Sequence, residues 1–126
     1  MIGIKAIASY VPEEFIDNLE QAKKFGETKE FIKKKIGALR LPRKGAQQET
    51  SDLAEKAILN LLRRYPALIK TDIDALVVIT QNPDDEGLPH TSALVQHKLN
   101  LPKTLAAFDV SLGCSGFVYG LSLIHI

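Results

Sequence analysis

The apolar positions of this chain change their spacing from segment to segment. Short, nearly continuous runs rich in β-branched or small residues, "IDALVVIT" and "TLAAFDVS", predict strands covered on both faces. In contrast, "TSDLAEKAILNLLRRYP" predicts a helix capped by Thr50 or Ser51 and followed by Pro66. Its apolar stripe consists of Leu53, Ala54, Ala57, Ile58, Leu61 and Leu62.

The other segments extend this alternation in both directions. The opening "IGIKAIASYVP" predicts a strand, and "DNLEQAKKFG" predicts a short helix that ends at Gly26. "ETKEFIKKKIG" predicts a helix between a Thr28 cap and Gly37. "HTSALVQHKLN" and "CSGFVYGLSL" predict two more helices, and "ALRLPRKGAQQ" and "QNPDDEGLP" predict loops.

Strands that alternate with helices predict an α/β fold with a mixed, mostly parallel sheet and helices on both faces. Such a sheet needs cover on each face, yet the sequence stops within an apolar helix that begins near Cys114. We therefore expect an incomplete fold, the front part of a larger protein.

Composition narrows the choice of partners and location. The chain is 45% hydrophobic and 25% charged, with a formal net charge of +1, so no overall field favours nucleic acid or an anionic membrane. The N-terminus does not fit a signal peptide, and no run has transmembrane length. A single cysteine excludes an intrachain disulfide and a cysteine-rich metal site. We expect a cytoplasmic protein without a bound metal.

The single cysteine, Cys114, lies where a predicted strand runs into a predicted helix, in "SLGCSGF". A helix N-terminus favours the thiolate, which is the nucleophilic form, and the Cys114 N–H is suited to stabilising an oxyanion. Gly113 and Gly116 permit a sharp turn and a close approach of neighbouring groups. From these residues alone, a nucleophile and an ordinary buried cysteine remain equal alternatives.

The segment "FDVSLGCSGFVYGLSL" resembles the nucleophile segment of β-ketoacyl-acyl-carrier-protein synthase III, a condensing enzyme of the thiolase superfamily. Further segments resemble that family in the same order: "IKAIASYVPEEFIDNLE", "EFIKKKIGALR", and "IDALVVIT" through "LPHTSALVQHKLNLPKTLAAFDVS". The resemblance covers nearly the whole chain and implies the N-terminal half of a thiolase-like fold, with one domain over residues 1–120.

The resemblance also implies a reaction. Cys114 would accept an acyl starter from acyl-CoA or acyl-carrier protein, and malonyl-carrier protein would then condense with it after decarboxylation. The full-length parent would be a homodimeric acyltransferase in fatty-acid or related lipid or polyketide synthesis, without a permanently bound cofactor. The family's catalytic histidine and asparagine lie in the second half of the fold, so we expect this chain alone to be inactive in the complete condensation.

Alternatives within the fold are an acyltransferase with another acceptor and a hydroxymethylglutaryl-CoA synthase-like enzyme. A non-catalytic partner subunit is an alternative from another class, although an intact Cys114 corner argues against it. A redox-sensing thiol is a further alternative, but the sequence contains no second cysteine to resolve a sulfenic acid.

A basic segment is matched to the CoA-binding helix of the family. Phe31 falls where the family usually has tryptophan, Lys35 where it has arginine, and Arg40 follows in the same cluster. Because lysine does not make a bidentate phosphate contact, these differences favour a carrier protein or an unusual starter as the donor. From charge alone, a solvated helix face is the alternative.

Leu88 matches a loop position that, in the family, enters the acyl pocket of the partner subunit; ordinary loop packing is the alternative. We assign surface or capping roles to His90, His97 and His125, because their spacing lacks the pattern of a metal site. Residues 121–126, "LSLIHI", match a translated sequencing-adapter end, so we expect a non-native tail there, with a divergent natural terminus as the alternative.

Overall fold

The computed structural model describes residues 3–125, and of His125 only the backbone. The chain forms two compact units, Val11–Gln48 and Met1–Tyr10 with Glu49–Ile126. Within residues 3–125 no helix is long and apolar enough to cross a membrane.

The unit Val11–Gln48 combines a two-stranded ribbon with short helices. Asp17 caps the first helix by accepting the Leu19 N–H at 2.8 Å, and Thr28 caps the second through the Phe31 N–H at 3.0 Å. Both predicted helices are therefore confirmed. The elements are β1 (Phe15–Asp17), α1 (Asn18–Lys24), α2 (Lys29–Phe31), a π-helical turn (Ile32–Ile36) and β2 (Arg40–Pro42).

The second predicted helix changes its winding after Phe31. The Gly37 N–H donates to the Ile32 carbonyl at 2.8 Å, which widens the last turn into a π-helix. Gly37 then ends it with φ 77°, a left-handed conformation in which glycine carries no Cβ penalty.

The loop predicted for "ALRLPRKGAQQ" is wrong in part. Residues Arg40–Pro42 pair antiparallel with β1, with Ile16 opposite Leu41. A strand of three residues that ends in proline is too short to show alternation, so its pairing depends on the partner strand rather than on its own pattern.

The second unit is the α/β part of the chain. A 3₁₀ turn precedes its first strand, and another lies in the loop that follows this strand. The helices and strands are α3 (Thr50–Arg64), β3 (Ala75–Ile79), α4 (Thr91–Lys98), β4 (Ala106–Val110) and α5 (Gly116–His125), with the 3₁₀ turns at Lys70–Asp72 and Asp85–Gly87.

The predicted cap of α3 is wrong by one or two residues. Glu49 is the N-cap, and its N–H donates to Asp52 Oδ2 at 2.8 Å. Ser51 is instead fully buried, and its N–H donates to Asp84 Oδ1 at 3.0 Å. The carboxylate of Asp84, which is distant in sequence, thus accepts from an N–H group that a local cap usually satisfies.

Strands β3 and β4 pair in parallel, with Val77 opposite Phe108 and Ile79 opposite Val110. Val78 points into the core with Val95 of α4, while its neighbour Ile79 packs against α5. Because side chains alternate along a strand, helices lie on both faces, which confirms the predicted α/β fold.

The core of this unit lies between the sheet and helices α3 and α4. Its buried members are Val78, Val95, Leu99, Leu101 and Leu105. The face toward α5 is less covered than the sequence predicts, since Ala75 is exposed and Phe108 is 40% exposed.

The predicted opening strand is not observed from residue 3 onward, and its first residue, Ile2, lies outside the described part. Residues 4–12 carry no strand pairing, and Ile4 and Ile7 are 54% and 67% exposed. Instead, Asn60 of α3 donates to the Ser9 carbonyl at 3.0 Å. An alternating segment becomes a strand only when a neighbouring strand supplies its hydrogen bonds.

Candidate active site

The candidate nucleophile lies in the turn between β4 and α5. The Gly116 N–H donates to the Gly113 carbonyl at 2.9 Å, and the Val118 N–H donates to the Ser115 carbonyl at 3.1 Å. Cys114 is exposed within this turn. The strand–corner–helix geometry predicted around Cys114 is present, although α5 begins two residues later than expected.

The backbone of this turn leaves a donor available beside the thiol. Among residues 3–125 the Cys114 N–H has no hydrogen-bond acceptor. An N–H group at a helix start, adjacent to an exposed thiol, is suited to stabilising an oxyanion formed on a carbonyl that the thiol attacks.

Glycines allow α5 to lie directly on β3. A Cβ at Gly116 would collide with Ile79 Cγ2, and one at Gly120 would collide with Ile79 Cδ1. Ile79 therefore fills the space over both glycines and holds the start of the cysteine-bearing helix on the sheet. Sequence reasoning identified Gly113 and Gly116 but missed Gly120, whose signal is the four-residue spacing in "GFVYG".

Asp109 connects the cysteine-bearing strand to α4. Its side chain is 8% exposed, and its two oxygens accept the N–H groups of Thr91 at 2.7 Å and Ser92 at 2.8 Å. Charge-assisted bonds to a helix N-terminus are among the stronger hydrogen bonds in proteins. Sequence reasoning missed this residue, although a carboxylate in the buried run "AAFDV" was a usable signal.

His90 and His97 take the positions expected of capping or surface residues, and the side chain of His125 lies outside the described part of the structure. His90 is the N-cap of α4, with Nδ1 3.9 Å from Asp109 Oδ2 and a side chain that is 63% exposed. His97 lies in the last turn of α4. Within the described residues no group of three or more His, Cys, Asp or Glu side chains could hold a metal ion.

Leu88 lies on an anchored loop and is 77% exposed. Asp84, which is 3% exposed, holds the base of this loop against α3 through its bond to the Ser51 N–H. Single exposed apolar residues are common on protein surfaces, so exposure alone assigns no contact to Leu88. Its role in an acyl pocket stays a prediction.

The residues predicted to bind CoA lie in the other unit, Val11–Gln48. Phe31 lines an apolar groove of about 530 Å³ together with Ile36 and Leu41, whereas Lys35 and Arg40 do not line it. The Arg40 guanidinium instead lies 4.3 Å from the centre of the Phe15 ring. The role of Phe31, Lys35 and Arg40 in binding stays a prediction.

An ion pair stabilises the surface beside α3. Lys98 donates to Asp52 Oδ1 and to Ser51 Oγ, the latter at 2.7 Å. The hydrogen bond from Lys98, followed by the backbone bond from Glu49, lowers the pKa of Asp52 below its usual 3.8.

Known proteins resemble this chain over most of its length. No family model matches the chain. The β-ketoacyl-[acyl-carrier-protein] synthase III of Campylobacter jejuni is 37% identical over 117 residues, which cover 93% of this chain and 36% of that protein. The chain therefore spans about a third of the length of the curated relatives that it matches.

Solved structures agree with this match. A β-ketoacyl-[acyl-carrier-protein] synthase III from Thermus thermophilus superposes with a TM-score of 0.84 and 36% identity, over 96% of this chain and 36% of that one. MvaS in complex with 3-hydroxy-3-methylglutaryl coenzyme A superposes with a TM-score of 0.86 and 29% identity, over 97% and 29% of the two chains.

The parallel sheet, its flanking helices and the cysteine-bearing corner define a thiolase-type fold. Within that class, the chain is a β-ketoacyl-acyl-carrier-protein synthase III-like polypeptide that corresponds to about a third of such an enzyme.

Proposed function

We propose that this chain carries the acyl-accepting nucleophile of a condensing enzyme of the β-ketoacyl synthase III type. The observation that supports this most directly is the exposed Cys114 at the β4–α5 corner, with its own N–H free of any acceptor among residues 3–125. A thiol in this place has access to an acyl donor and an adjacent group that stabilises the charge formed during attack.

The reaction has two stages. The Cys114 thiolate attacks the carbonyl carbon of an acyl thioester, the Cys114 N–H stabilises the oxyanion, and the donor thiolate departs, leaving an acyl group on Cys114. Malonyl-carrier protein then loses CO₂, and the resulting carbanion attacks the bound acyl carbonyl. This second attack forms 3-oxoacyl-carrier protein and releases the Cys114 thiolate.

The whole protein would act on acyl-CoA or acyl-carrier protein, which serve as substrates rather than resident cofactors. We propose a cytoplasmic homodimer in which Leu88 of one subunit contacts the acyl group bound to the other. Phe31, Lys35 and Arg40, in the unit Val11–Gln48, would contact the donor. A histidine and an asparagine for decarboxylation would come from sequence beyond this chain.

A second candidate has the same acyl-cysteine but another acceptor. The similarity to MvaS supports a hydroxymethylglutaryl-CoA synthase-like reaction, in which an acyl-CoA replaces the malonyl-carrier protein as the acceptor. Both reactions begin with acylation of the cysteine, so the second substrate that is consumed distinguishes them.

The test first locates the acyl group on the chain and then offers the acylated chain each of the two second substrates. Purified chain is incubated with acetyl-CoA or butyryl-CoA, and the peptide that contains Cys114 is examined by mass spectrometry. We expect one acyl group per chain on Cys114, and none in Cys114→Ser. The acylated chain, complemented with the remaining part of the Campylobacter jejuni synthase, is then offered malonyl-carrier protein or acetoacetyl-CoA.

Condensation with malonyl-carrier protein supports the first function, and condensation with acetoacetyl-CoA supports the second. An acyl group that forms equally well on Cys114 in concentrated urea, where the corner is unfolded, contradicts both functions.

A further inference from the structure

The row of side chains on β3 that faces the cysteine-bearing helix continues past the end of the strand. Ile79 packs against Gly116 and Gly120, and Gln81, two residues further on, packs against Gly113. The Thr80 N–H still donates to the Val110 carbonyl at 3.1 Å, so the chain remains paired with β4 at this point. Gln81 therefore lies on the α5 side of the sheet, beside the residue that precedes Cys114.

The contact between Gln81 and Gly113 is close. A Cβ on residue 113 would lie 3.0 Å from Gln81 Cδ and 3.5 Å from its Nε2, and closer still to Oε1. The side-chain amide thus occupies the space that any other residue at position 113 would fill. The space that glycine opens beside the nucleophile is filled by a polar group.

The amide of Gln81 is available to a ligand. Gln81 is exposed, and its side chain has no hydrogen-bond partner among residues 3–125. A glutamine amide offers two N–H donors and a carbonyl acceptor. When a bound group displaces water from it, the amide favours a group that replaces those hydrogen bonds.

We propose that Gln81 is a specificity-determining residue that forms a hydrogen bond with the acyl group carried by Cys114. It favours acyl groups with a hydroxyl or keto oxygen close to the thioester over purely aliphatic ones of the same length. This inference rests on the proposed function, because it needs an acyl group on Cys114.

The test is a competition between two acyl donors of equal chain length. The chain is incubated with an equimolar mixture of 3-hydroxybutyryl-CoA and butyryl-CoA, and mass spectrometry of the Cys114 peptide gives the ratio of the two adducts. Gln81→Leu removes the hydrogen-bonding atoms while keeping most of the volume. Asn82→Leu makes the same change one residue further along the loop and is the matched control.

We expect the ratio to favour the hydroxylated acyl group in the native sequence and in Asn82→Leu. Gln81→Leu should lower it about three- to tenfold, the effect of one net hydrogen bond. Gln81→Ala should lower it similarly, since both variants remove the amide, and thermal unfolding checks that each variant is folded.

Two results would overturn the proposal in distinguishable ways. A ratio that Gln81→Leu and Gln81→Ala leave unchanged would overturn the inference while the acyl adduct upholds the proposed function. Absence of either adduct on Cys114 of the folded native chain would overturn the proposed function and this inference with it.

Discussion

At the scale of single residues, the cysteine corner depends on what surrounds Cys114 more than on Cys114 itself. Gly113, Gly116 and Gly120 lack side chains where Gln81 and Ile79 approach. The sequence predicted the corner and two of these glycines from the pattern "GCSG". It did not predict their contacts, because Ile79 and Gln81 are distant in sequence and only the parallel pairing of β3 with β4 brings them close.

The first prediction concerns Gly120 and Ile79. Gly120→Ala adds a methyl group that collides with Ile79 Cδ1, so we expect a loss of about 1–3 kcal/mol in the free energy of unfolding despite alanine's better helix propensity. Ile79→Val removes Cδ1, so in that background Gly120→Ala should be neutral or stabilising. Urea unfolding of the four proteins gives the coupling energy. Additive effects would show that α5 does not pack on Ile79.

The second prediction concerns Asp52. Since the bond from Lys98 lowers the folded-state pKa below the usual 3.8, the ion pair stabilises the chain above that pH. This stabilisation is lost as the pH falls through the folded-state value. Asp52→Asn should therefore flatten the decline in the free energy of unfolding between about pH 5 and pH 2.

The control for this measurement is Asp85→Asn, at an exposed loop carboxylate. Its pH profile should follow that of the native sequence. Identical slopes for Asp52→Asn and the native sequence would contradict a stabilising ion pair between Asp52 and Lys98.

At the scale of elements, the helices could be predicted from the sequence more fully than the strands. The apolar stripe of α3 and the stop at Gly26 after α1 predicted these helices, whereas the carboxylates that cap them, Asp17 and Asp52, were not predicted. The sequence predicted an opening strand that the structure lacks within residues 3–12, and it did not predict β2, which is present. Residues 4–12 have an alternating pattern without a partner strand, whereas Arg40–Pro42 have a partner without a visible pattern. Strand formation depends on distant residues that no local pattern contains.

The third prediction concerns the link from β4 to α4. Asp109→Ala leaves the N–H groups of Thr91 and Ser92 without their acceptor, so we expect a loss of about 1.5–3 kcal/mol. Asp109→Asn keeps one acceptor oxygen and should lose less. Chemical denaturation measures both values, and hydrogen exchange at Thr91 and Ser92 should accelerate. Unchanged exchange in Asp109→Ala would show that the carboxylate does not hold the helix.

At the scale of the whole molecule, the apolar outer face of α5 is not buried in the core. Phe117, Val118 and Tyr119 are 72%, 68% and 60% exposed. Beside them, an apolar groove of about 880 Å³ lies between α5 and the strands. The sequence predicted this uncovered face from the apolar run after Cys114, but it could not predict what covers it.

The fourth prediction follows from that face. Exposed contiguous apolar surface favours association, so the isolated chain should self-associate and bind a dye for apolar surfaces. Phe117→Ser with Val118→Ser should raise the monomer fraction in light scattering, whereas Phe25→Ser, on the other unit, should not. A monomeric native chain with a cooperative melt and no dye binding would contradict this prediction.

The central claim is that the folded β4–α5 corner makes Cys114 an acyl acceptor. The most direct measurement is the rate of acyl transfer from butyryl-CoA to Cys114 in the folded chain, relative to the same chain in concentrated urea. Because one aligned oxyanion donor alone is worth about a hundredfold, we predict that the folded chain reacts at least about tenfold faster. Equal rates would show that the corner does not activate Cys114 and would contradict the account.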